Sequence, residues 1–319
     1  MRIHLPNSAF LGNLDPFLRS FDNSNPEELE ITANKKWISI HPVVLSMIAA
    51  LGLRMKRSNI RCEKIEATSK HYLERMGMFN FLGIKSGIKI NDHEPAGRFI
   101  PLTQIKNSDG LTNFITEMIP LLHLESRQAE PIRYIVSELV RNVLEHSQSK
   151  HGAILSAQYY KKSNTIRIGI ADSGIGIKRS INMSHNAETH LEAIKLALTP
   201  GITGATRKEG GTEYNAGAGL FFIKSIAKVN RDFFMIYSGN AMYKLLKRSS
   251  NLLSLYADPF EDRHSKDEEF PSWNGTIVGI DISLNATEEF SMLLDQIRYT
   301  YIKTVKERKK ARYRRPRFI

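Results

Sequence analysis

The residues that could carry out chemistry form three groups between positions 138 and 220. In the first group, Glu138, Asn142 and His146 follow one another at intervals of four residues, a spacing that places their side chains on one face of a helix. An amide oxygen there can ligate Mg²⁺ together with phosphate oxygens and water. A carboxylate can accept a proton from a nucleophile aligned on a terminal phosphate. A solvated polar face is the alternative interpretation.

Asp172, Gly174 and Gly176 form the second group, directly after residues 165–171. Those preceding residues alternate and are rich in β-branched side chains, which predicts a strand. A carboxylate at the end of a strand can accept a hydrogen bond from the exocyclic amine of a nucleobase, and glycines let the chain turn tightly beside a flat ring. An ordinary Asp-Ser-Gly turn is the alternative.

Gly217, Gly219 and Leu220 form the third group, at the start of an apolar segment, residues 220–227, that predicts a helix. Glycines at the start of a helix expose backbone N–H groups at the positive end of the helix dipole, which favours a bound anion. A glycine cluster is a weak signal by itself, so its meaning depends on its place after the other two groups.

Several elements must position these groups. Residues 129–147 have apolar side chains at helical spacing, and Pro131 suits the first turn of the predicted helix. Residues 276–282 predict a late strand, and residues 287–312 predict a further helix. The apolar stripe of that last helix suits a docking or dimer helix, with an ordinary core helix as the alternative.

The order of these groups resembles that of the GHKL ATPases, the superfamily of gyrase B, the heat-shock chaperone ATPases, histidine kinases and MutL. The resemblance covers residues 105–285. It implies an α/β fold, a two-layer α/β sandwich in which a mixed sheet has helices on one face. The matching residues are Glu138 and Asn142 in the N box, Asp172, Gly174 and Gly176 in the first glycine box, Gly217, Gly219 and Leu220 in the second, and Thr276 late in the fold.

The resemblance also implies roles for these residues, with ATP and Mg²⁺ as the bound groups. Asp172 would bind the adenine amine, Asn142 would hold Mg²⁺, and Glu138 would be the general base. Residues 185–216 would be the lid over the triphosphate, in which Lys208 or its neighbour Arg207 could meet the γ-phosphate. Solvated lid charges are the alternative for both cations, and a structural histidine is the simpler interpretation of His146.

The first hundred residues predict a separate unit. Its expected elements are a strand at 37–40, a helix at 42–56, a strand at 60–65 and a helix at 68–79. This order implies a parallel pair of strands and resembles the STAS-like domains of anti-sigma-factor antagonists. That family has a phosphorylatable serine after the first strand, whereas this chain continues into His41. A docking role is therefore expected, without a phospho-switch.

Three domains follow from these patterns: a STAS-like domain at 1–100, a GHKL ATP-binding domain at 105–285, and a C-terminal helix with a basic tail at 286–319. Residues 83–110 are expected to be a linker, and residues 257–274 a polar surface loop.

Composition and charge limit the setting. Cys62 is the only cysteine, which fits a reducing compartment. The longest apolar run, Pro42 to Leu53, is too short to span a bilayer, and the first residues lack the apolar core of a signal peptide. These features predict a soluble, cytoplasmic protein. Nine of the 45 Lys and Arg residues lie within residues 302–319. Such a tail suits nucleic acid or an acidic protein surface, and a solvated helix end is the alternative.

The expected function is that of a nucleotide-gated switch, which hydrolyses ATP slowly and regulates or assembles with a protein partner. The partner could be a small STAS-like protein, and a homodimer is a further alternative. Two other functions remain open: a protein serine/threonine kinase of the anti-sigma-factor type, and a nucleotide-binding scaffold without turnover. A bacterial setting is an analogy from related architectures.

Overall fold

A computed structural model of the chain describes residues 1–21, 27–89, 98–208, 210, 217–247, 254–285 and 290–313. In this part of the chain the fold is α/β, which confirms the expected class. The strands are β1 (Arg2–Leu5), β2 (Leu29–Ala33), β3 (Ile60–Cys62), β4 (Phe99–Ile105), β5 (Ala153–Tyr160), β6 (Thr165–Ala171), β7 (Phe234–Gly239), β8 (Ala241–Leu245), β9 (His264–Asp267) and β10 (Trp273–Ser283). The helices are α1 (Asp15–Arg19), α2 (Pro42–Gly52), α3 (Lys70–Arg75), α4 (Met78–Leu82), α5 (Ser108–Asn113), α6 (Ser126–His146), α7 (Gly176–Ile181), α8 (His190–Ala197), α9 (Gly219–Val229) and α10 (Phe290–Tyr313).

The larger sheet has seven strands in the order β4-β5-β6-β10-β7-β8-β9. Every neighbouring pair in it is antiparallel, so the mixed sheet that the resemblance implied is not found. The reason lies in β10, which runs antiparallel to both β6 and β7 and joins them at the centre of the sheet. Asp172 directly follows β6 and Thr276 lies on β10, so these two central strands hold the predicted site residues in place from below.

One face of this sheet is covered by α6, α7, α8 and α9, and α10 packs on α6 and α9. The amphipathic pattern of α6 is confirmed, because Ile132, Ile135 and Leu139 are buried on its inner side. The predicted helices at 129–147, 220–227 and 287–312 correspond to α6, α9 and α10. None of the helices in the described ranges is both long and apolar enough to cross a membrane.

The opposite face is covered by the N-terminal unit, so helices do not lie on one face only as expected. Every residue of α2 is buried, and α2 packs on β5 and β6. Ser46 Oγ donates to the carbonyl of Gly169, at 2.9 Å. The buried His41 Nδ1 accepts from the Val43 amide at 3.0 Å, so its Nε2–H is free to donate to Asp281 Oδ1 at 3.2 Å. This unit is therefore joined to the sheet by both apolar and polar contacts.

The smaller sheet is parallel, with the order β1-β2-β3. Its parallel character was predicted, but the predicted strand at 37–40 was wrong, because β2 pairs with β3 instead. Asn34 Oδ1 accepts hydrogen bonds from the amides of Lys36 and Trp37, at 3.0 and 3.2 Å, which forms a local turn in place of a ladder. The predicted helix at 68–79 is divided into α3 and α4 at Gly77, whose φ is +76°.

Two segments expected to be irregular contribute strands at the edges of the larger sheet. Within the predicted linker at 83–110, β4 pairs with β5. Its register is irregular between Ile100 and Thr103, around Pro101, and an edge position tolerates proline. Within the predicted loop at 257–274, β9 pairs with β8. The sequence of β9, His-Ser-Lys-Asp, has no apolar alternation, so only its partner reveals it.

Candidate functional site

A cavity of about 350 Å³ lies between α6, the start of α9 and the ends of β6 and β10. Its volume is within the range of small-molecule sites, roughly 300–1,000 Å³. The predicted site residues that line it are Glu138, Asn142, Asp172, Gly176, Gly217, Gly219, Leu220 and Thr276. The fold therefore brings together eight of the nine residues that match the motifs of the resemblance, from four separate parts of the sequence.

Asp172 is the most deeply buried acid in this cavity, with 1% of its surface exposed. It lies at the end of β6, where Oδ1 accepts from the Gly174 amide at 2.7 Å and Oδ2 accepts from the Thr276 amide at 3.1 Å. Burial raises the pKa of Asp172 to about 7, against the effect of these two N–H donors. A buried carboxyl that is held by amides and faces a cavity is well placed to accept a hydrogen bond from a ligand.

Gly174 does not line the cavity, but its contacts explain why a glycine follows Asp172. A Cβ atom at this position would lie 2.0 Å from the carbonyl oxygen of Ser147, at the end of α6. The Ile175 amide donates to the same carbonyl at 2.8 Å. The turn after β6 is therefore clamped against α6, which holds the carboxyl of Asp172 relative to the polar face of that helix.

Glu138 and Asn142 lie one turn apart on α6 and both face the start of α9. Burial raises the pKa of Glu138; Arg141 opposes this shift and Glu145 adds to it. Asn142 Nδ2 is buried and has no hydrogen-bond partner within the described ranges. Native proteins rarely leave such an atom unsatisfied, so Asn142 is a candidate ligand-binding residue. If its amide is turned over, the oxygen occupies this position instead.

The start of α9 makes the closest approach to this polar face. A Cβ atom at Gly219 would lie 2.6 Å from Glu138 Oε2 and 3.6 Å from Asn142 Nδ2. The first amides of a helix have no partner within the helix, and the dipole adds positive potential there. Gly219 therefore lets these amides, the carboxylate and the side-chain amide face the same space, where an anion such as phosphate could bind.

Apolar side chains form the remaining walls near Asp172. Ile170 and Val278 project from β6 and β10, and Ile177, Ile181 and Ile202 line the cavity from α7 and the segment after α8. Apolar walls next to one buried acceptor suit a nucleobase, because the ring loses its water and its amine keeps a hydrogen bond.

Several lining residues were not recognised from the sequence. Tyr134 precedes Glu138 by four residues and Arg141 follows it by three, so helical spacing could have placed both on the same side of α6. Both line the cavity. Glu138 contributes to raising the pKa of Tyr134, after burial. Ser180 and Thr203 also line the cavity, but no motif or spacing distinguishes them in the sequence.

Two predicted contacts are not brought into the cavity. Lys208 is exposed and its backbone amide donates to Thr206 Oγ1, at 3.2 Å. Arg207 Nε donates to the carbonyl of Ser184, at 2.9 Å. Residues 209 and 211–216 of the predicted lid lie outside the described residues. His146 does line the cavity, and burial lowers its pKa while Glu145 opposes that shift.

Neither a protein-family model nor a curated protein sequence matches this chain. The donor set of the cavity is therefore the basis for any assignment. No group of three or more His, Cys, Asp or Glu side chains in the described ranges is arranged to hold a metal ion. Asn142 and Glu138 could still share a Mg²⁺ ion whose other ligands are phosphate oxygens and water, because this cation commonly binds through one or two protein ligands.

Proposed function

We propose that this protein binds ATP in the cavity between α6 and α9 and hydrolyses it slowly, as a switch of the GHKL type. One observation carries the proposal: a buried carboxyl and a carboxylate–amide pair, which lie far apart in the sequence, line the same cavity. Asp172 would accept a hydrogen bond from the adenine amine, and the adenine ring would lie between the apolar walls. The triphosphate would extend toward Asn142 and the first amides of α9.

Glu138 would act as the general base for hydrolysis. It takes a proton from a water molecule whose oxygen forms a bond to the γ-phosphorus. The bond from that phosphorus to the bridging oxygen breaks, and ADP leaves. The raised pKa of Glu138 makes the carboxylate a stronger base than an ordinary exposed glutamate. Mg²⁺, with Asn142 among its ligands, would neutralise charge on the phosphates when bound.

Calorimetry with ATP and GTP in the presence of Mg²⁺ tests the binding site, and ATP labelled at the γ-phosphate tests the chemistry. We expect ATP to bind, GTP to bind more weakly, and label to appear as free phosphate. Label transferred to a protein hydroxyl would favour the kinase alternative, and binding without release would favour the scaffold. Absence of ATP binding would contradict the proposal.

The affinity for adenosine is expected to depend on pH because the pKa of Asp172 is about 7. An amine donor binds the ionised carboxyl, so the ligand should bind about tenfold more tightly at pH 8 than at pH 6. Adenosine is used because the terminal phosphate of ATP also titrates in this range. Titration calorimetry at both pH values measures the effect, and the D172N variant should show equal affinities at both.

The stability of the free protein is expected to change with pH in the opposite direction to the adenosine affinity. Because burial raises the pKa of Asp172, the protonated carboxyl contributes stability to the free protein that is fully present at low pH. That contribution is lost as the pH rises through about 7.

Affinity for adenosine that falls rather than rises between pH 6 and pH 8 would contradict the affinity prediction, because it would show that the ligand prefers the protonated carboxyl.

Gly219→Ala is expected to reduce turnover without destabilising the fold. Alanine favours a helix over glycine by up to about 1 kcal/mol, but the new Cβ would displace the Glu138 carboxylate, which is 2.6 Å away. A displaced base should lower the rate of phosphate release by roughly 10- to 100-fold. Phosphate release and thermal unfolding are measured together.

The matched control is Gly110→Ala, another helical glycine, whose added Cβ would lie 3.2 Å from Asn107 Oδ1 and which does not line the cavity. Equal turnover in the two variants would mean that the approach of α9 to Glu138 has no role in catalysis.

A further inference from the structure

The side of α10 that faces away from the rest of the fold has two parts, which together are named the outer face of α10. Met292, Tyr299 and Ile302 are 56%, 71% and 42% exposed and form its apolar part. Lys303, Lys306 and Lys310 continue the same side of the helix toward its C-terminus and form its basic part. The described ranges contain five large, exposed hydrophobic residues, and three of them belong to this face.

The inner side of α10 packs against the core. Leu293, Ile297 and Val305 are buried against the rest of the fold, so the outer face is a separate surface and not the edge of the core. A groove of about 610 Å³ lies along its apolar part. It is lined by Leu255, Met292, Asp295, Gln296, Tyr299 and Thr300. Its length along α10 is about two helical turns, which suits the apolar side chains of another helix.

The charge of α10 indicates which kind of segment could bind to its outer face. Residues 290–313 contain seven Lys or Arg residues against Asp295 and Glu307. Asp295 accepts a hydrogen bond from Arg298 at 2.6 Å, which leaves the part from Lys303 onward strongly basic. A second copy of the chain would bring two basic surfaces together, which is unfavourable. An acidic helix with an apolar stripe would complement both parts of the face.

Contacts connect α10 to the nucleotide cavity. The ring of Tyr134, which lines the cavity, packs on Phe290 with centroids 5.8 Å apart, and Phe222 of α9 packs on Tyr301 at 6.1 Å. Farther along, Arg308 donates to the carbonyl of Pro200 at 2.9 Å. The helix thus contacts α6, α9 and the segment that follows α8, all of which border the cavity.

We propose that the outer face of α10 is the docking surface for an acidic amphipathic helix of a partner protein. The apolar residues of the partner occupy the groove beside Met292 and Tyr299, and its carboxylates pair with Lys303, Lys306 and Lys310. Docking itself is independent of the proposed ATPase function. Only its modulation by nucleotide, through the contacts of α10 with α6 and α9, rests on that function.

A pair of synthetic peptides tests the docking surface on the full-length protein without nucleotide. Both are fluorescein-labelled helices with leucine at helical spacing; one carries glutamate at the other positions and one carries lysine. Fluorescence anisotropy should detect binding of the glutamate peptide, with the lysine peptide at least about tenfold weaker. Equal affinities, or no binding of the glutamate peptide, would overturn the proposal.

Tyr299→Glu should weaken binding of the glutamate peptide by about tenfold or more, because an exposed aromatic anchor is lost and a like charge is added. Trp37→Glu is the matched control, since Trp37 is an exposed aromatic residue, at 53%, on the N-terminal unit. The Trp37→Glu variant should bind the glutamate peptide as tightly as the wild type does. Tyr299 is exposed, so the variant should fold, and thermal unfolding checks this. Equal binding by both variants would place the peptide elsewhere.

Two further outcomes would replace the proposed partner. Competition by duplex DNA at physiological salt, lost in Lys303→Glu/Lys306→Glu, would make this face a nucleic-acid surface. Self-association in sedimentation that Tyr299→Glu abolishes would make it a contact between copies of the chain.

Mg²⁺-ATP should shift the peptide affinity at least about threefold. An unchanged affinity, with ATP binding verified in the same sample, would overturn the coupling to nucleotide while the docking result stands.

Discussion

Asp172→Asn is expected to weaken ATP binding by roughly 10- to 150-fold, because a hydrogen bond to a charged group contributes about 1.5–3 kcal/mol. The substitution keeps the shape of the side chain and removes the charged acceptor at the end of β6. Titration calorimetry with Mg²⁺-ATP measures the effect. The loss should appear in affinity for adenosine as well, since the proposed contact is to the base and not to the phosphates.

The cost of this substitution to the fold is expected to be modest. The asparagine side chain would offer one acceptor oxygen for the two amides of Gly174 and Thr276, which now donate to separate carboxylate oxygens of Asp172, and an unsatisfied buried amide costs about 1–3 kcal/mol. Removing a buried charge offsets part of that cost, because burial raises the pKa of Asp172 to about 7. Urea unfolding measures the net change.

Asp232→Asn is the control that separates a loss of ATP affinity from a loss of stability. Asp232 is likewise a buried acid whose pKa burial raises to about 7, and its Oδ2 accepts from the Ser283 amide at 2.5 Å. It lines a different cavity. The Asp232 variant should therefore lose comparable stability and keep the affinity for ATP. If both variants bind ATP equally well, Asp172 is not the anchor of the nucleobase and the site assignment fails.

Glu138→Gln is expected to stop ATP turnover and to leave ATP binding nearly unchanged. Glutamine retains the size of the side chain and its contact with the start of α9, but it cannot take a proton from the attacking water. Loss of a general base lowers a rate by roughly 10²- to 10⁴-fold. Single-turnover phosphate release measures the rate, and calorimetry on the same preparation measures the affinity.

The control for this variant is Glu130→Gln, an exposed position on the same helix, which should hydrolyse ATP at the wild-type rate. The wild type should also lose activity as the pH falls through the raised pKa of Glu138, because only the carboxylate can accept the proton. Turnover by the Glu138 variant within a few-fold of the wild type would remove this residue from the chemistry.

The buried link between the N-terminal unit and the larger sheet gives a reason to expect that the unit acts as part of the same body. α2 is covered on all sides, and His41 contacts Asp281 on the same strand, β10, that carries Thr276 at the cavity. A docking role for this unit remains a prediction. Its most accessible large apolar side chain in the described ranges is Trp37, which is 53% exposed.

The local elements of the site could be predicted from the sequence because their signals lie within single elements. The apolar stripe of α6 places Glu138 and Asn142 on one face whatever the helix packs against. The alternation of β6 ends where Asp172 begins, and a turn with glycines must follow. Such patterns depend on side-chain direction along one helix or strand, which the backbone period determines.

Tertiary structure decided what those patterns could not. β2, β4 and β9 are strands because partners were available, since short or polar segments become strands only when another strand supplies their hydrogen bonds. Asp172, Glu138 and Gly219 line one cavity because β10 pairs with β6 and α9 lies across α6, contacts between residues far apart in the chain. Lys208, predicted from its charge to meet the γ-phosphate, is exposed. Charge and spacing specify what a side chain can do, and long-range packing decides where it does it.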